Sequence, residues 1–334
     1  MRAKLSALLT VLLITPLCAA LAASVGSLNQ LIVFGDSLSD NGNASILTGG
    51  AQPGPNYATR NYTGISFPVG YFTDGTNTTP STSGPTGLWI DQFAAKLNVS
   101  DPTPASPLVG GTNYAVGSAT TGTSLPPIGI GDQVTAFTIA HLTGAPSNAL
   151  YTFWGGADDV ENGLSPITGA NNIYQYILTL SGEGAKHFLW LNLPLLGETP
   201  KGMASGSATA WNAASVAFNT QWGMDLSKLH GQGIDVVGVD IGSLFTGIVD
   251  NPSAYGLTNV TTPAQGLSGV NPNQYLFWDD QHPTTAGDAL IADLAFRDLT
   301  AVPEPLGIGL LLVGFCGILA LQGSVRRRAP LPKR

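Results

Sequence analysis

Four apolar residues in succession, Leu31-Ile32-Val33-Phe34, run straight into Gly35-Asp36-Ser37. A strand with one wet face alternates apolar and polar residues, whereas an unbroken apolar run needs cover on both faces. Strands of that kind belong to parallel sheets with helices above and below, so this one run narrows the fold sharply. It also delivers a hydroxyl to the carboxyl end of a buried strand, where open α/β sheets keep their ligand sites. Two readings of Gly35-Asp36-Ser37 stand side by side: an Asp/Ser turn or helix cap, and a nucleophile brought to a site.

The pattern recurs along the chain. Asn113–Ala119 reads as a second short strand and turn, and Ala149–Trp154 as a third ending in Gly155-Gly156. His187–Leu191 is a fourth, stopped by Pro194, and Ile234–Val239 a fifth. Between them lie helical patterns. Gly87–Leu97 carries Leu88, Ile90, Phe93, Ala94 and Leu97 on one face, and residues 131–142, 171–180, 207–229 and 285–299 follow. Strands alternating with helices predict an α/β fold, a three-layer α/β/α sandwich around a mostly parallel sheet of about five strands. Residues 41–86 interrupt the alternation with Gly, Asn, Thr, Ser and Pro, a long excursion of the kind that serves as lid or binding loop. Its aromatics Tyr57, Tyr62, Phe67, Tyr71 and Phe72 either dock it on the body or line an acyl pocket.

The two ends are not domain material. Arg2 and Lys4, an apolar run from Leu5 to Leu13 and Ala19-Ala20-Leu21-Ala22-Ala23 have the order of a secretory signal peptide, placed at residues 1–23. At the other end Val302-Pro303-Glu304-Pro305 precedes an apolar run from Leu306 to Leu321 and the basic cluster Arg326-Arg327-Arg328. That run is short against the ~20 residues that span a bilayer, but Gly323–Val325 extends it. The domain is then residues 24–301. It contains neither Cys18 nor Cys316, so packing alone must hold it. It carries 20 Asp and Glu against 6 Lys and Arg, an acidity the whole-chain charge of −8 conceals. So acidic a surface disfavours nucleic acid as a partner.

A serine hydroxyl needs a base to take its proton. Of four histidines, His187 begins a strand and His141 and His230 end helices, places typical of caps and surface residues. His282 sits in Trp278-Asp279-Asp280-Gln281-His282-Pro283. An aspartate three residues earlier can curl back to accept the imidazole N–H, fixing the tautomer; alone, the same spacing also suits a turn ion pair. Scattered histidines and a domain without cysteine offer no metal-ligand cluster, and no cofactor motif appears.

Phe34-Gly35-Asp36-Ser37-Leu38-Ser39-Asp40 with Asn41-Gly42-Asn43, and Asp279-x-x-His282-Pro283 at the far end, resemble the GDSL, or SGNH, hydrolase family. Gly117-Ser118 and Gly156-Ala157-Asp158-Asp159 fall in order where its two intermediate motifs stand. The resemblance implies a flavodoxin-like fold and hydrolysis or transfer of carboxylic esters through an acyl-Ser37 intermediate, with His282 as base and Asp279 orienting it. It implies an oxyanion hole from the Ser37 N–H, a backbone N–H at Gly117 or Ser118, and a side chain at position 158. The family has glycine where Ser118 stands and asparagine where Asp158 stands. An ionised Asp158 offers only acceptors to a developing oxyanion. A protonated donor beside Asp159, a slowed enzyme and a side chain turned out of the hole are all open at this level.

The tail resembles the PEP-CTERM sorting signal of Gram-negative bacteria. That resemblance implies transient anchoring in the inner membrane and release by an exosortase after signal-peptidase processing, with the cell surface or beyond as destination. The expected substrate is a small-molecule, lipid or acylated-carbohydrate ester. A polysaccharide deacetylase and a catalytically silent surface-matrix protein are the alternatives.

Overall fold

The computed structural model describes residues 28–75, 87–106, 109–123 and 128–301. The expected signal peptide, apolar tail segment and sorting motif lie outside them. Among the described residues no helix is long and apolar enough to cross a membrane. All the elements that follow belong to the unit Leu28–Leu299, apart from the last residue of the closing helix.

The opening run is β1 (Gln30–Gly35), and Leu31, Ile32, Val33 and Phe34 are each no more than 1% exposed. Burying such side chains stabilises by about 1.5–3 kcal/mol apiece, which is why the run becomes a central strand. The excursion that follows holds a short helix α1 (Asn43–Leu47) and an antiparallel pair, β2 (Ala58–Arg60) and β3 (Val69–Tyr71). Next come α2 (Trp89–Leu97), α3 (Ile130–Ala140), β4 (Ala149–Trp154), the one-turn α4 (Ala157–Glu161) and α5 (Pro166–Gly182). Then follow β5 (His187–Leu191), the short α6 (Pro200–Ala204), α7 (Ala208–Gly231), β6 (Asp235–Val239), α8 (Ile241–Asp250) and the closing α9 (Thr285–Thr300).

The central sheet has four strands in the order β1-β4-β5-β6, all parallel. Ile32, Phe34, Tyr151, Phe153, Phe188 and Trp190 point to one side and pack with Phe137 of α3, Ile173 and Ile177 of α5 and Phe218 of α7. Leu31, Val33, Leu189 and Leu191 on the other side are equally buried, and Trp89 of α2 meets Trp154 edge to face at 5.8 Å. The expected α/β sandwich is there, with a correction to the strand count.

The expected second strand, Asn113–Ala119, forms no ladder with β1, only an isolated parallel bridge from Asn113 to Val33, beside a second from Asn113 to Pro104. Residues 112–116 do run along the free edge of β1, with Tyr114 N–H on Val33 O at 2.8 Å and Val116 N–H on Gly35 O at 3.2 Å. The ladder goes no further because side chains take its other bonds. Asn113 Oδ1 accepts the Ala115 N–H at 3.0 Å, and the amide of Asn43 donates to Ala115 O at 2.8 Å. Counting this partial edge, the order in space is 2-1-3-4-5, the flavodoxin-like arrangement. The connection leaves β1 to one side and returns on the other, so the carboxyl end of β1 is the topological switch point.

Candidate active site

Ser37 follows β1 directly, and the local geometry admits little else at its threshold. Gly35 pairs with Trp154, and a Cβ there would lie 2.5 Å from the Trp154 carbonyl oxygen. Gln133 on α3 clamps the same residue, accepting from Gly35 N at 2.9 Å and donating to Gly35 O at 2.8 Å. Asp40, three residues past the serine, is buried and gathers four backbone N–H groups, from Gly42, Asn43, Ala44 and Gly117, at 2.6–2.9 Å. The turn bearing Ser37 is thereby fixed at both ends.

His282 arrives from the other end of the domain, on the loop before α9. Its Nε2 lies 2.7 Å from Ser37 Oγ, and its Nδ1 2.6 Å from Asp279 Oδ2. Asp279 Oδ1 accepts the backbone N–H groups of Gln281 at 2.9 Å and His282 at 2.7 Å, the curl that three-residue spacing allows. Burial pushes the Asp279 carboxyl up, but the His282 charge and its hydrogen bonds outweigh this and hold it below the usual carboxylate range. An ionised carboxylate only accepts, so the imidazole proton sits on Nδ1 and Nε2 is free to take the serine proton. Ser37 is 7% exposed and His282 4%, and both line the same pocket.

The other histidines are structural, as their places in the sequence suggest. His141 stacks on Phe137, His187 pairs with Asp235 at 2.7 Å, and His230 Nε2 bonds Val236 O at 2.7 Å. Among the described residues no cluster of ligands could hold a metal ion.

The structure narrows the second-motif expectation to one of its two residues. Gly117 N–H is donated to Asp40 Oδ2 at 2.8 Å and is not free for an oxyanion. Ser118 is exposed and sits at φ 65°, left-handed backbone that glycine adopts freely and serine at a cost of about 1 kcal/mol. Its N–H meets no acceptor among the described residues. Of the pair, Ser118 is the one with a donor to give.

Asp158 lies in the first turn of α4 and lines the same pocket as Ser37 and His282. The expected partner Asp159 is turned away, its carboxylate holding Thr121 N at 2.8 Å and Thr121 Oγ1 at 2.7 Å. The carboxyls that accompany Asp158 in the pocket are instead Asp36 and Glu161. Burial, then the charge of Glu161, push Asp158 up to about 7, with His282 and Lys201 pulling the other way. Burial and Asp158 together hold Asp36 well above the carboxylate range; its Oδ1 accepts from Leu38 N at 3.0 Å while its Oδ2 is buried without a partner. Lys201 spans Glu161 at 2.7 Å and Gln281 at 2.6 Å and so pairs with one of the three carboxyl groups. Past Ser37 the pocket closes on Trp154, Pro194, Leu196, Phe245 and Phe277, with a cavity of about 30 Å³.

Sequence reasoning gave no role of its own to two residues here and left the role of a third open. Asp40 and Lys201 give no local signal of a role. Tyr57 was read as docking the excursion or lining an acyl pocket; its hydroxyl does fasten the excursion to the body, and the atom it reaches is Asp279 Oδ2, at 2.6 Å.

A serine, a histidine and an aspartate joined in this order, at the carboxyl edge of a parallel sheet, have the arrangement of a serine hydrolase. Residues 31–295 match the GDSL-like lipase/acylhydrolase family, and the chain belongs to that family of ester-bond hydrolases. It is similar to an uncharacterized protein from the trpE-trpG intergenic region of Pseudomonas putida, 29% identical over 335 residues that cover 86% of this chain and 52% of that protein. It is also similar to the thermolabile hemolysin of Vibrio parahaemolyticus, at 24% identity with 80% of this chain and 62% of that one covered. A GDSL esterase/lipase of Arabidopsis thaliana is 26% identical, with 85% of each chain covered. The chain thus spans about half to three-fifths of the length of the two bacterial proteins.

Proposed function

We propose that this protein is an exported serine esterase that hydrolyses carboxylic esters through an acyl-Ser37 intermediate. The observation that carries the reading is the relay itself, Ser37 Oγ to His282 Nε2 at 2.7 Å and His282 Nδ1 to Asp279 at 2.6 Å. His282 takes the serine proton as Oγ attacks the ester carbonyl and returns it to the leaving alcohol; water then repeats the sequence on the acyl-enzyme. Asp279 orients the imidazole and stabilises its charged form. The N–H groups of Ser37 and Ser118 and the neutral carboxyl of Asp158 receive the oxyanion. Export, with inner-membrane anchoring as an intermediate stage, rests on the two terminal segments of the sequence alone.

One observation favours a narrower reading within the same class. A cavity of about 30 Å³ is small against the roughly 150 Å³ that admits a benzene ring, and it suits an acetyl or similarly short acyl group. Removal of acetyl groups from an extracellular polysaccharide fits that size. Hydrolysis of p-nitrophenyl acetate and longer homologues, with fluorophosphonate labelling of Ser37, tests both levels. Wild type labels and prefers the shortest ester, while Ser37→Ala neither labels nor turns over above about one part in a thousand of wild type. An unchanged rate in Ser37→Ala would end the enzyme reading, and a preference for long chains would end the narrower one.

A further inference from the structure

Tyr57 and Phe72 reach the relay from one small element. Tyr57 precedes β2 and Phe72 follows β3, and the pairing of Ala58 with Tyr71 sets the two aromatics side by side at the open end of the hairpin. Their rings meet edge to face at 6.3 Å, and the Phe72 ring lies 4.9 Å from the His282 ring. The exit of the hairpin is fastened to the stretch after His282. Thr73 Oγ1 donates to Pro283 O at 3.0 Å, and Asp74 Oδ1 accepts from Thr285 N at 2.6 Å. The excursion therefore touches the acid, the base and the chain just beyond them.

We propose that Tyr57 is a positioning residue that holds Asp279 in place and, through it, governs how readily His282 takes a proton. Asp279 Oδ2 is shared between two donors, the Tyr57 hydroxyl and the His282 Nδ1–H, each at 2.6 Å. A hydroxyl that donates to a carboxylate draws its charge away from the second donor. Without Tyr57, more of that charge falls on Nδ1–H and the imidazolium is stabilised. His282 then binds its proton at higher pH.

The other charged groups around His282 come from separate elements: Asp36 after β1, Asp158 and Glu161 on α4, Lys201 on α6. None of them donates to Asp279 Oδ2; Tyr57 and His282 are the two side chains that do so among the described residues. Burial and the neighbouring carboxylate keep the Tyr57 phenol protonated well beyond its ordinary range, so it stays a donor wherever the relay can work. The Gln265 side chain also hydrogen-bonds this hydroxyl and lowers the phenol against the larger upward push, which makes it a better donor.

This inference draws its importance from the esterase reading, yet it can be tested without turnover. The Cε1–H resonances of the four histidines are titrated by NMR in wild type, Tyr57→Phe and Gln265→Met, with His282 assigned from the signal lost in His282→Gln. In Tyr57→Phe the His282 titration moves up by about 0.5–1 pH unit, and in Gln265→Met it moves the same way by less. The acid limb of kcat/KM on p-nitrophenyl acetate shifts with it, so that kcat/KM on that limb falls roughly 3- to 10-fold at near-constant KM. A residue that merely props up the loop would lower the rate at every pH and leave the titration where it was. A His282 titration unmoved in folded Tyr57→Phe overturns the proposal; should that variant not fold, an unmoved titration in Gln265→Met does the same. Failure of wild-type Ser37 to label with fluorophosphonate would remove the esterase reading while leaving the titration result standing.

Discussion

With Asp158 in the proposed oxyanion hole, the pocket's chemistry depends on pH. A neutral carboxyl is a hydrogen-bond donor to the oxyanion, and an ionised one repels it. Because burial and Glu161 push this group up to about 7, the neutral form prevails in mild acid and is down to about 1% at pH 9. Asp158→Asn supplies a permanent donor of the same shape. The ratio of Asp158→Asn to wild-type kcat/KM is expected to stay near one around pH 6 and to climb about tenfold per pH unit above 7, toward roughly 100 at pH 9. A pH-independent ratio would place the side chain outside the hole. The sequence exposed this weak point but ranked its companions wrongly: Asp159 does raise Asp158, yet less than Glu161 does. Adjacency suggested Asp159, whereas on a helix consecutive side chains diverge and i, i+3 neighbours meet, which brings Glu161 to Asp158 and sends Asp159 to Thr121. The relay was legible because its serine and its Asp-x-x-His lie in compact local patterns. Tyr57 was not, because a contact across 222 positions leaves no mark on its own neighbourhood.

At the level of elements, β1 and α3 act as one piece. Gln133 closes both polar groups of Gly35, the residue that hands the chain over to Asp36 and Ser37. Gln133→Leu keeps the bulk and strands the Gly35 N–H in the core, at a cost of about 1–3 kcal/mol. Urea denaturation is expected to show that loss in midpoint at unchanged slope, and activity should fall at sub-denaturing urea as the Ser37 turn loosens. An unshifted midpoint would mean that water or another acceptor serves the N–H as well. The main strands and long helices could be read from periodicity because burial on both faces writes itself into the sequence. Other pieces could not. The stretch 112–116 has strand composition, but Asn113 and Asn43 capture its bonds. The hairpin β2–β3 has only three residues per strand inside a Gly/Pro-rich excursion. And α8, with Gly242 and Gly247 in its ten residues, is held by packing and by Asp240 capping Ser243 N at 3.0 Å, with little help from propensity.

For the whole molecule, acidity and burial combine. Asp158 lies near 7, and burial and then the Asp101 charge push Asp91, which caps the N-terminus of α2, up to about 8. In the unfolded chain both ionise near the ordinary value of about 4. Folded-state carboxyls with raised values contribute stability that is complete below about 4 and is lost as pH rises through about 7 and 8. The excess of acidic residues adds repulsion in the same direction. Asp279 works in the opposite sense, but only below about pH 4. The melting temperature is therefore expected to be several degrees higher at pH 5 than at pH 8.5, and 0.5 M salt should narrow the gap. A melting temperature that rises over that interval would contradict the assignment of neutral buried carboxyls. Composition foretold the sign of the net charge. It could not foretell which carboxyls are buried, since that depends on which loops meet.

The separation of 245 positions between Ser37 and His282 has a consequence in time. The ribosome releases the nucleophile among the first residues of the domain and its base among the last. A chain in synthesis, or one cut short before α9, holds a serine with nothing to activate it. Hydrolytic competence thus arrives all at once, when the carboxyl-terminal loop settles against the first strand. On the proposed esterase reading, turnover is therefore a direct readout of completed folding.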